Sequence, residues 1–443
     1  MIDISGETIT ILMFTSLLIG IFLGHPLSFV LGGLATIYGF LSWGPDIFSV
    51  YINRIYGTMD NYVLLAIPLF IFMAQFLDTS GVTIDLFKAL RYLLGPMRGG
   101  IGVTVVVVST IFAACTGIVG ASIVTMGLLA LPMMLAYGYQ KELSCGSISA
   151  AGTLGILIPP SIMLVVMAAQ ATLSVGKLFA GAIFPGLILS ALYLGYIVIR
   201  CGIHPELGPP LSKEEKAEVT HADLMRMVLK SLVPPAILIA GVLGSIFSGI
   251  ATPTEASGVG AFLAFLMVIA YRKFTWKSFF DAIKKTTQTS TMVVFLLCGA
   301  TCFTGAFLGA GGEDVVTNFI LGLNLGKWGT FWVMMLIVFL LGMFLDWIGI
   351  VLICFPIFIP MAKALGFDLI WFVVMIAVNL QASFLTPPFG YALFYIKGVV
   401  PEGVELTHIY RGIIPFVILM LIGLVLCAAF PAAVLWLPNL IVR

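Results

Sequence analysis

Apolar runs fill nearly the whole chain, with only short polar or basic breaks between them. A full membrane span needs about 20 apolar residues. Runs of that order lie at 8–24, 26–43, 61–78, 144–170, 176–200, 226–247, 253–271, 291–309, 368–396 and 412–436. The short alternating strands of a β-barrel are missing from this pattern, so the fold class is an all-α polytopic membrane protein. Two stretches, 100–137 and 328–363, are apolar throughout yet too long for one helix. Thr116-Gly117-Ile118-Val119-Gly120-Ala121-Ser122 interrupts the first and Asp346-Trp347-Ile348-Gly349 the second. Two ordinary spans joined by a tight turn is the plainer reading. Two re-entrant helical hairpins is the one preferred here, because interrupted apolar segments at matching places mark transporter binding sites.

The places do match. Displaced by 228 residues, Pro132-Met133 falls on Pro360-Met361, Gly138 on Gly366 and Pro159-Pro160 on Pro387-Pro388. A shift of one less places His25-Pro26 on Thr252-Pro253, Gly33 on Gly260 and Gly99 on Gly326. An odd number of spans separates the copies, so the second runs through the membrane upside down: an inverted repeat. The repeat divides the chain into N-terminal scaffold helices (1–97), a first transport repeat of hairpin plus broken span (98–200), a linker (201–225), a second scaffold segment (226–327), a second transport repeat (328–398) and a C-terminal helix (399–443).

Charge fixes the orientation. With the N-terminus outside and neither hairpin crossing, sixteen lysines and arginines fall inside and five outside, the usual positive-inside bias. The polar linker, with Pro209-Pro210 and Lys213-Glu214-Glu215-Lys216, is then cytoplasmic. Residues 272–290, basic with Phe274, Trp276, Phe279, Phe280 and Ile283 interleaved, read as a helix lying in the inner interface, and 82–97 as its first-half partner. The N-terminus carries no basic region and cleavage site of a signal peptide. Charged residues make up 9% of the chain and mean hydropathy is +1.16, against about 25% charged in soluble domains. A net charge of +1 offers no field for nucleic acid. Seven cysteines without a CxxC and four dispersed histidines give no zinc or disulfide framework. No nucleophile–base pair points to an enzyme.

Each half ends its hairpin with a span that breaks at a double proline: Gly152-Thr153-Leu154-Gly155-Ile156-Leu157-Ile158-Pro159-Pro160-Ser161 and Ala382-Ser383-Phe384-Leu385-Thr386-Pro387-Pro388. Proline supplies no N–H, so two in succession free carbonyls inside the membrane, where an unpaired polar group costs several kcal/mol. Neighbouring hydroxyls could satisfy them, or a small hard cation could. A cation site in each repeat is expected: Gly117, Ser122, Gly152, Gly155 and Ile158 for the first, Asp346, Gly349, Ala382, Leu385 and Thr386 for the second. Asp346 is an ionisable group between apolar runs, a functional candidate by default. Thr153, Ser161, Asn379 and Ser383 are candidates for the solute. Asn379 could instead join two helices, and Glu255, just after Pro253, could be a helix cap.

The runs 116–122, 152–161 and Ala251-Thr252-Pro253-Thr254-Glu255-Ala256, with Ile67-Pro68-Leu69-Phe70 and Thr386-Pro387-Pro388-Phe389-Gly390, resemble the large membrane (M) subunit of tripartite ATP-independent periplasmic (TRAP) transporters. The resemblance runs over essentially the whole chain. It implies a sodium-coupled symporter of the bacterial inner membrane, working by an elevator motion, with Na+ as the coupling ion and no other cofactor. It also implies two protein partners, a periplasmic substrate-binding protein (P type) that delivers a small organic acid and a small four-helix membrane subunit (Q type) on a separate chain. Where some members carry a Gly-Ser-Ser tip this chain has Gly117 to Ser122, so backbone carbonyls are the ligands that carry over. A stand-alone ion-coupled anion transporter of similar architecture is the alternative.

Overall fold

The computed structural model describes residues 5–117, 119–212, 215 and 220–441, without the side chains of His221 and Leu321. Ile118 of the first hairpin tip, Lys213, Glu214 and Lys216 of the linker and Arg443 of the charge count lie outside the described residues. Helices run in the order α1 Gly6–Phe22, α2 Leu27–Trp43, α3 Ile47–Met59, α4 Ala66–Ser80, α5 Val82–Leu94, α6 Gly100–Thr116, α7 Val119–Ala136, α8 Lys141–Thr153, α9 Ile162–Gln170 and α10 Val175–Ile203. The second half follows with α11 His221–Phe247, α12 Pro253–Ala270, α13 Trp276–Gly309, α14 Gly312–Gly322, α15 Gly326–Gly342, α16 Trp347–Ala364, α17 Leu369–Leu385, α18 Tyr391–Lys397, α19 Leu406–Ala429 and α20 Ala432–Ile441. Among the described residues nine helical segments are long and apolar enough to cross a membrane.

The internal repeat extends over nearly every element. α2 answers to α12, α3 with α4 to the single helix α13, α5 to α14, α6 to α15, α7 to α16, α8 to α17, α9 to α18 and α10 to α19. Both long apolar stretches are hairpins that return to the side they came from. The Ile101 amide donates to the Tyr139 hydroxyl at 3.0 Å, closing the base of α6–α7, and the Lys327 ammonium donates to the Gly366 carbonyl at 2.9 Å, closing α15–α16.

Three expectations change. The basic stretch 272–290 and the span 291–309 are one helix of 34 residues, α13. A capping box of Thr275 with Ser278 starts it, and no glycine or proline interrupts it before Gly299. At about 1.5 Å per residue it reaches about 50 Å, well beyond a hydrocarbon core of about 30 Å. Its first-half counterpart is therefore α3 with α4; α5, expected to be that counterpart, matches α14 instead. The C-terminal span 412–436 divides into α19 and α20, because Pro431 lacks the N–H that would carry the helix on.

Two groups of helices pack internally. α4 lies on α12, α2 on α13, and α11 on both α12 and α5. In the other group α8 packs against α7 and α19, α17 against α19 and α10, and α10 against α20. Elements of opposite repeats thus share each core. The groups meet where α6 touches α5, α4 and α11, where α9 touches α4, and where α13 and α14 touch α16. The linker begins as an ordered strap: backbone bonds join Gly99 to Gly208, Gln140 to Leu207 and Leu211 to Gly95.

Candidate functional site

The first break is sealed on all sides: Thr153, Leu154, Leu157 and Ser161 have no exposed surface. α8 tightens into a 3-10 turn at Leu154–Ile156, bends through the cis Pro159–Pro160 bond, and resumes as α9 with Ser161 at its N-cap. The amides of Leu157 and Ile158 both go to the Leu154 carbonyl. Pro159 and Pro160 have none to give, so Gly155 and Ile156 lose their helical donors. The Ser161 hydroxyl takes up the Ile156 carbonyl, and the Thr153 hydroxyl donates to Ala150 at 2.8 Å. Among the described residues no backbone amide reaches the carbonyls of Gly155, Leu157 or Ile158.

Hairpin α6–α7 presses its tip onto this break. Gly117 closes α6 with φ +64°, and a Cβ there would stand 2.9 Å from the Pro160 carbonyl oxygen and 3.3 Å from the Ile162 nitrogen. One turn on, a Cβ at Gly152 would strike Ile123 of α7. The buried Ser122 hydroxyl lies 3.4 Å from that of Thr116. Gly117, Ser122, Gly152, Gly155 and Ile158 therefore belong to one junction between tip and break; Ile158 turns its side chain toward Gly186 of α10.

The second junction follows the same backbone plan with different side chains. α17 ends at Leu385, Thr386 is extended, Pro387–Pro388 is cis, and Gly390 at φ +54° opens α18. The Thr386 amide turns to Ser383 at 3.1 Å and its hydroxyl to Ala382 at 2.8 Å. The carbonyls of Phe384 and Leu385 receive no backbone amide among the described residues. The hairpin approaches through its first arm, where a Cβ at Gly342 would meet the Ser383 hydroxyl, and through Phe344, whose ring lies 6.0 Å from that of Phe389. Asp346 caps α16, its Oδ1 accepting the Gly349 amide at 3.2 Å.

Asn379 and Glu255 each take up a structural bond. Asn379 donates to the Met335 carbonyl at 2.7 Å, joining α17 to α15. Glu255 completes a capping box: its carboxylate accepts the Thr252 amide at 2.8 Å while the Thr252 hydroxyl accepts the Glu255 amide at 3.3 Å. It sits apart from both junctions.

The sequence reading passed over Tyr391 and Tyr395. Tyr395 lies against Gly120 of the first hairpin, and Phe394 of the same half-helix has its ring 6.3 Å from that of Phe389, which in turn lies 6.0 Å from Phe344 of the second. The half-helix α18 thus stands between the two tips, with partly exposed rings at Tyr391, Phe394 and Tyr395. Its signal was present as three aromatic residues directly after a proline break. No cluster of three or more His, Cys, Asp or Glu occurs among the described residues. The two junctions between them offer backbone oxygen, hydroxyl and, at the second hairpin, a carboxylate, the oxygen donors that hard cations take.

Comparison with known proteins agrees with this architecture. Residues 11–433 match the family model described as the tripartite ATP-independent periplasmic transporter, DctM component. A relative from Pseudomonas aeruginosa, the C4-dicarboxylate TRAP transporter large permease protein DctM, is 32% identical over 410 residues, 92% of this chain and 93% of its own length. The sialic acid TRAP transporter large permease protein SiaM of Vibrio cholerae is 28% identical over 95% of this chain and 96% of its own. The isethionate TRAP transporter permease protein DctMQ of Oleidesulfovibrio alaskensis is 31% identical over 92% of this chain, which spans 63% of that relative. In fold the chain is similar to the crystal structure of the Alcanivorax borkumensis YdaH transporter, at a TM-score of 0.66 and 16% identity over 96% of this chain and 98% of that one. An all-helical, multi-pass membrane architecture and a family match over almost its full length make this chain a member of the DctM component family, the large permeases of TRAP transporters.

Proposed function

We propose that this chain is the large permease of a sodium-coupled importer of a small organic acid. A periplasmic binding protein delivers the solute, and a small membrane subunit docks on the group formed by α1–α5 and α11–α14. That group is the scaffold; the hairpins, broken helices, α10 and α19 form the body that moves past it, elevator fashion. The protein resides in the inner membrane with its N-terminus on the periplasmic side. Relatives named for C4-dicarboxylate, sialic acid and isethionate transport all carry an acidic solute, which supports the solute class. The DctMQ relative, longer than this chain, is consistent with a second membrane subunit.

One observation carries the reading. Each repeat brings a hairpin against a proline break where, among the described residues, carbonyls receive no backbone amide. Such carbonyls are costly in a dry interior, and a sodium ion at each junction relieves that cost. The first site draws on Gly117, Ser122, Gly152, Gly155 and Ile158, the second on Asp346, Gly349, Ala382, Leu385 and Thr386. Thr153, Ser161 and Ser383 stand beside these sites, and with Asn379 they are the groups proposed to face the solute. Two cations also offset the charge of a carried carboxylate, which otherwise meets a steep desolvation cost.

Reconstitution tests the assignment. Uptake into proteoliposomes should require a sodium gradient, the small subunit and the binding protein together. Uptake by this chain alone would establish a stand-alone transporter, and uptake indifferent to sodium would remove the coupling ion.

A further inference from the structure

Thr304 differs from the threonines that bond back onto their own helix. Thr36, Thr58, Thr79 and Thr110 each turn their hydroxyl back onto the carbonyl four residues earlier in their own helix. The Thr304 hydroxyl leaves α13 and donates to the Leu352 carbonyl of α16 at 2.8 Å. That carbonyl is available for a definite reason. α16 continues through Pro356, the residue whose amide would have bonded to Leu352, and proline has no amide hydrogen. Thr304 is 7% exposed and Leu352 2% exposed, so water does not replace the missing donor. The bond crosses between the two helix groups, at the second arm of the second hairpin.

The first repeat holds its hairpin at nearly the same place by other means. Thr125 of α7 donates to Asp78 of α4 at 3.3 Å. The proline of that arm, Pro132, frees the carbonyl of Leu128, but Leu128 is 61% exposed. Among the described residues, it is the second hairpin that is fixed through a buried, proline-vacated carbonyl.

We propose that Thr304 is a positioning residue that holds the second hairpin in register on α13 by occupying the acceptor Pro356 leaves open. Acting through α16, it sets the height of Asp346 and of the second tip against the scaffold in the one position where the bond forms. The bond has one register only: a slide of the hairpin by one turn carries the Leu352 carbonyl about 5.4 Å from the hydroxyl.

The logic is testable as a cycle, because Pro356→Ala restores the amide and lets α16 satisfy Leu352 internally. In the full chain reconstituted in bilayers, Thr304→Val should speed amide exchange in the segment 347–357 about tenfold. In the complete system it should lower maximal sodium-driven uptake severalfold with the solute KM unchanged. Thr304→Ser, which keeps the hydroxyl, should restore both. In the Pro356→Ala background, adding Thr304→Val should change exchange less than twofold. An unchanged exchange rate in Thr304→Val overturns the proposal, as does an equal effect in both backgrounds, which would assign the residue to packing alone. The uptake arm rests on the transport reading; the exchange arm does not. Absence of uptake in the parent would therefore count against the transport reading while exchange still decides the role of Thr304.

Discussion

Gly117→Ala tests the first junction most sharply, because its consequences divide into two parts. The first is conformational. Gly117 lies at φ +64°, and a side chain in that left-handed region costs about 1–2 kcal/mol. The second is a close approach. The new methyl would stand 2.9 Å from the Pro160 carbonyl oxygen and 3.3 Å from the Ile162 nitrogen. Both are backbone atoms, so neither can rotate aside, and the tip must lift off the break at a cost of about 1–3 kcal/mol. Gly138 supplies the control. It lies at φ +77° at the foot of the same hairpin, with nothing within 4 Å of its Cβ direction, so Gly138→Ala meets the first cost alone. The difference between the two variants, about 1–3 kcal/mol, corresponds to about 5- to 150-fold in apparent sodium affinity, since lifting the tip opens the oxygen cage. Sodium-dependent thermal stabilisation reads this directly, because a ligand bound by the folded state raises apparent stability by mass action. Equal sodium midpoints for Gly117→Ala and Gly138→Ala would show that contact between tip and break contributes nothing to sodium binding.

Asp346→Asn should fold normally, since asparagine caps a helix as well as aspartate does, yet should lose part of the sodium dependence of both stabilisation and uptake; retention of the parent's dependence in both would remove Asp346 from the site. Thr386→Val takes the hydroxyl from the Ala382 carbonyl and should lower stability by about 1 kcal/mol while weakening sodium binding, with sodium titration of the melting temperature as the check. Glu255→Ala breaks a capping box far from both junctions, so its melting temperature should fall slightly at every sodium concentration alike; a sodium-dependent difference would tie Glu255 to the transport chemistry.

The parts of this fold legible in the sequence were those set by backbone chemistry. Double prolines in long apolar runs predicted breaks, and breaks are what α8–α9 and α17–α18 show, with Pro159–Pro160 and Pro387–Pro388 at their centres. The hairpins followed from apolar stretches too long for one helix, and Gly117 marks the first reversal. Continuity was harder to read. Basic and aromatic residues over 272–290 suggested an interfacial helix separate from the next span, but charge does not end a helix without a glycine, proline or cap, and α13 runs on. Side-chain choices were least legible. A buried asparagine in mid-span reads alike whether it bonds solute or a neighbouring helix, and only the structure shows that the Asn379 amide nitrogen bonds the Met335 carbonyl. Tyr391 and Tyr395 fall in a half-helix that no periodicity distinguishes from the end of a long span.

The repeats agree in backbone and diverge in chemistry, and the divergence follows from what surrounds each break. The first is enclosed, and the groups described beside it, Ser161, Thr153 and the Gly117 tip with Thr116 and Ser122, are uncharged. A formal charge there would need a partner that the enclosure does not provide. The second opens toward the partly exposed rings of α18 and carries the one carboxylate, held at a helix N-terminus where the helix dipole favours a negative charge. On the proposed reading, a cation at the first junction would be held by neutral oxygen alone and would bind only while the tip stays closed. A cation at the second would have a charge to approach before the cage is complete. Sodium should therefore enter through the second junction more readily than through the first, and a rise in ionic strength with an inert salt should slow the second step more, because screening acts on the partly exposed charge and not on enclosed dipoles.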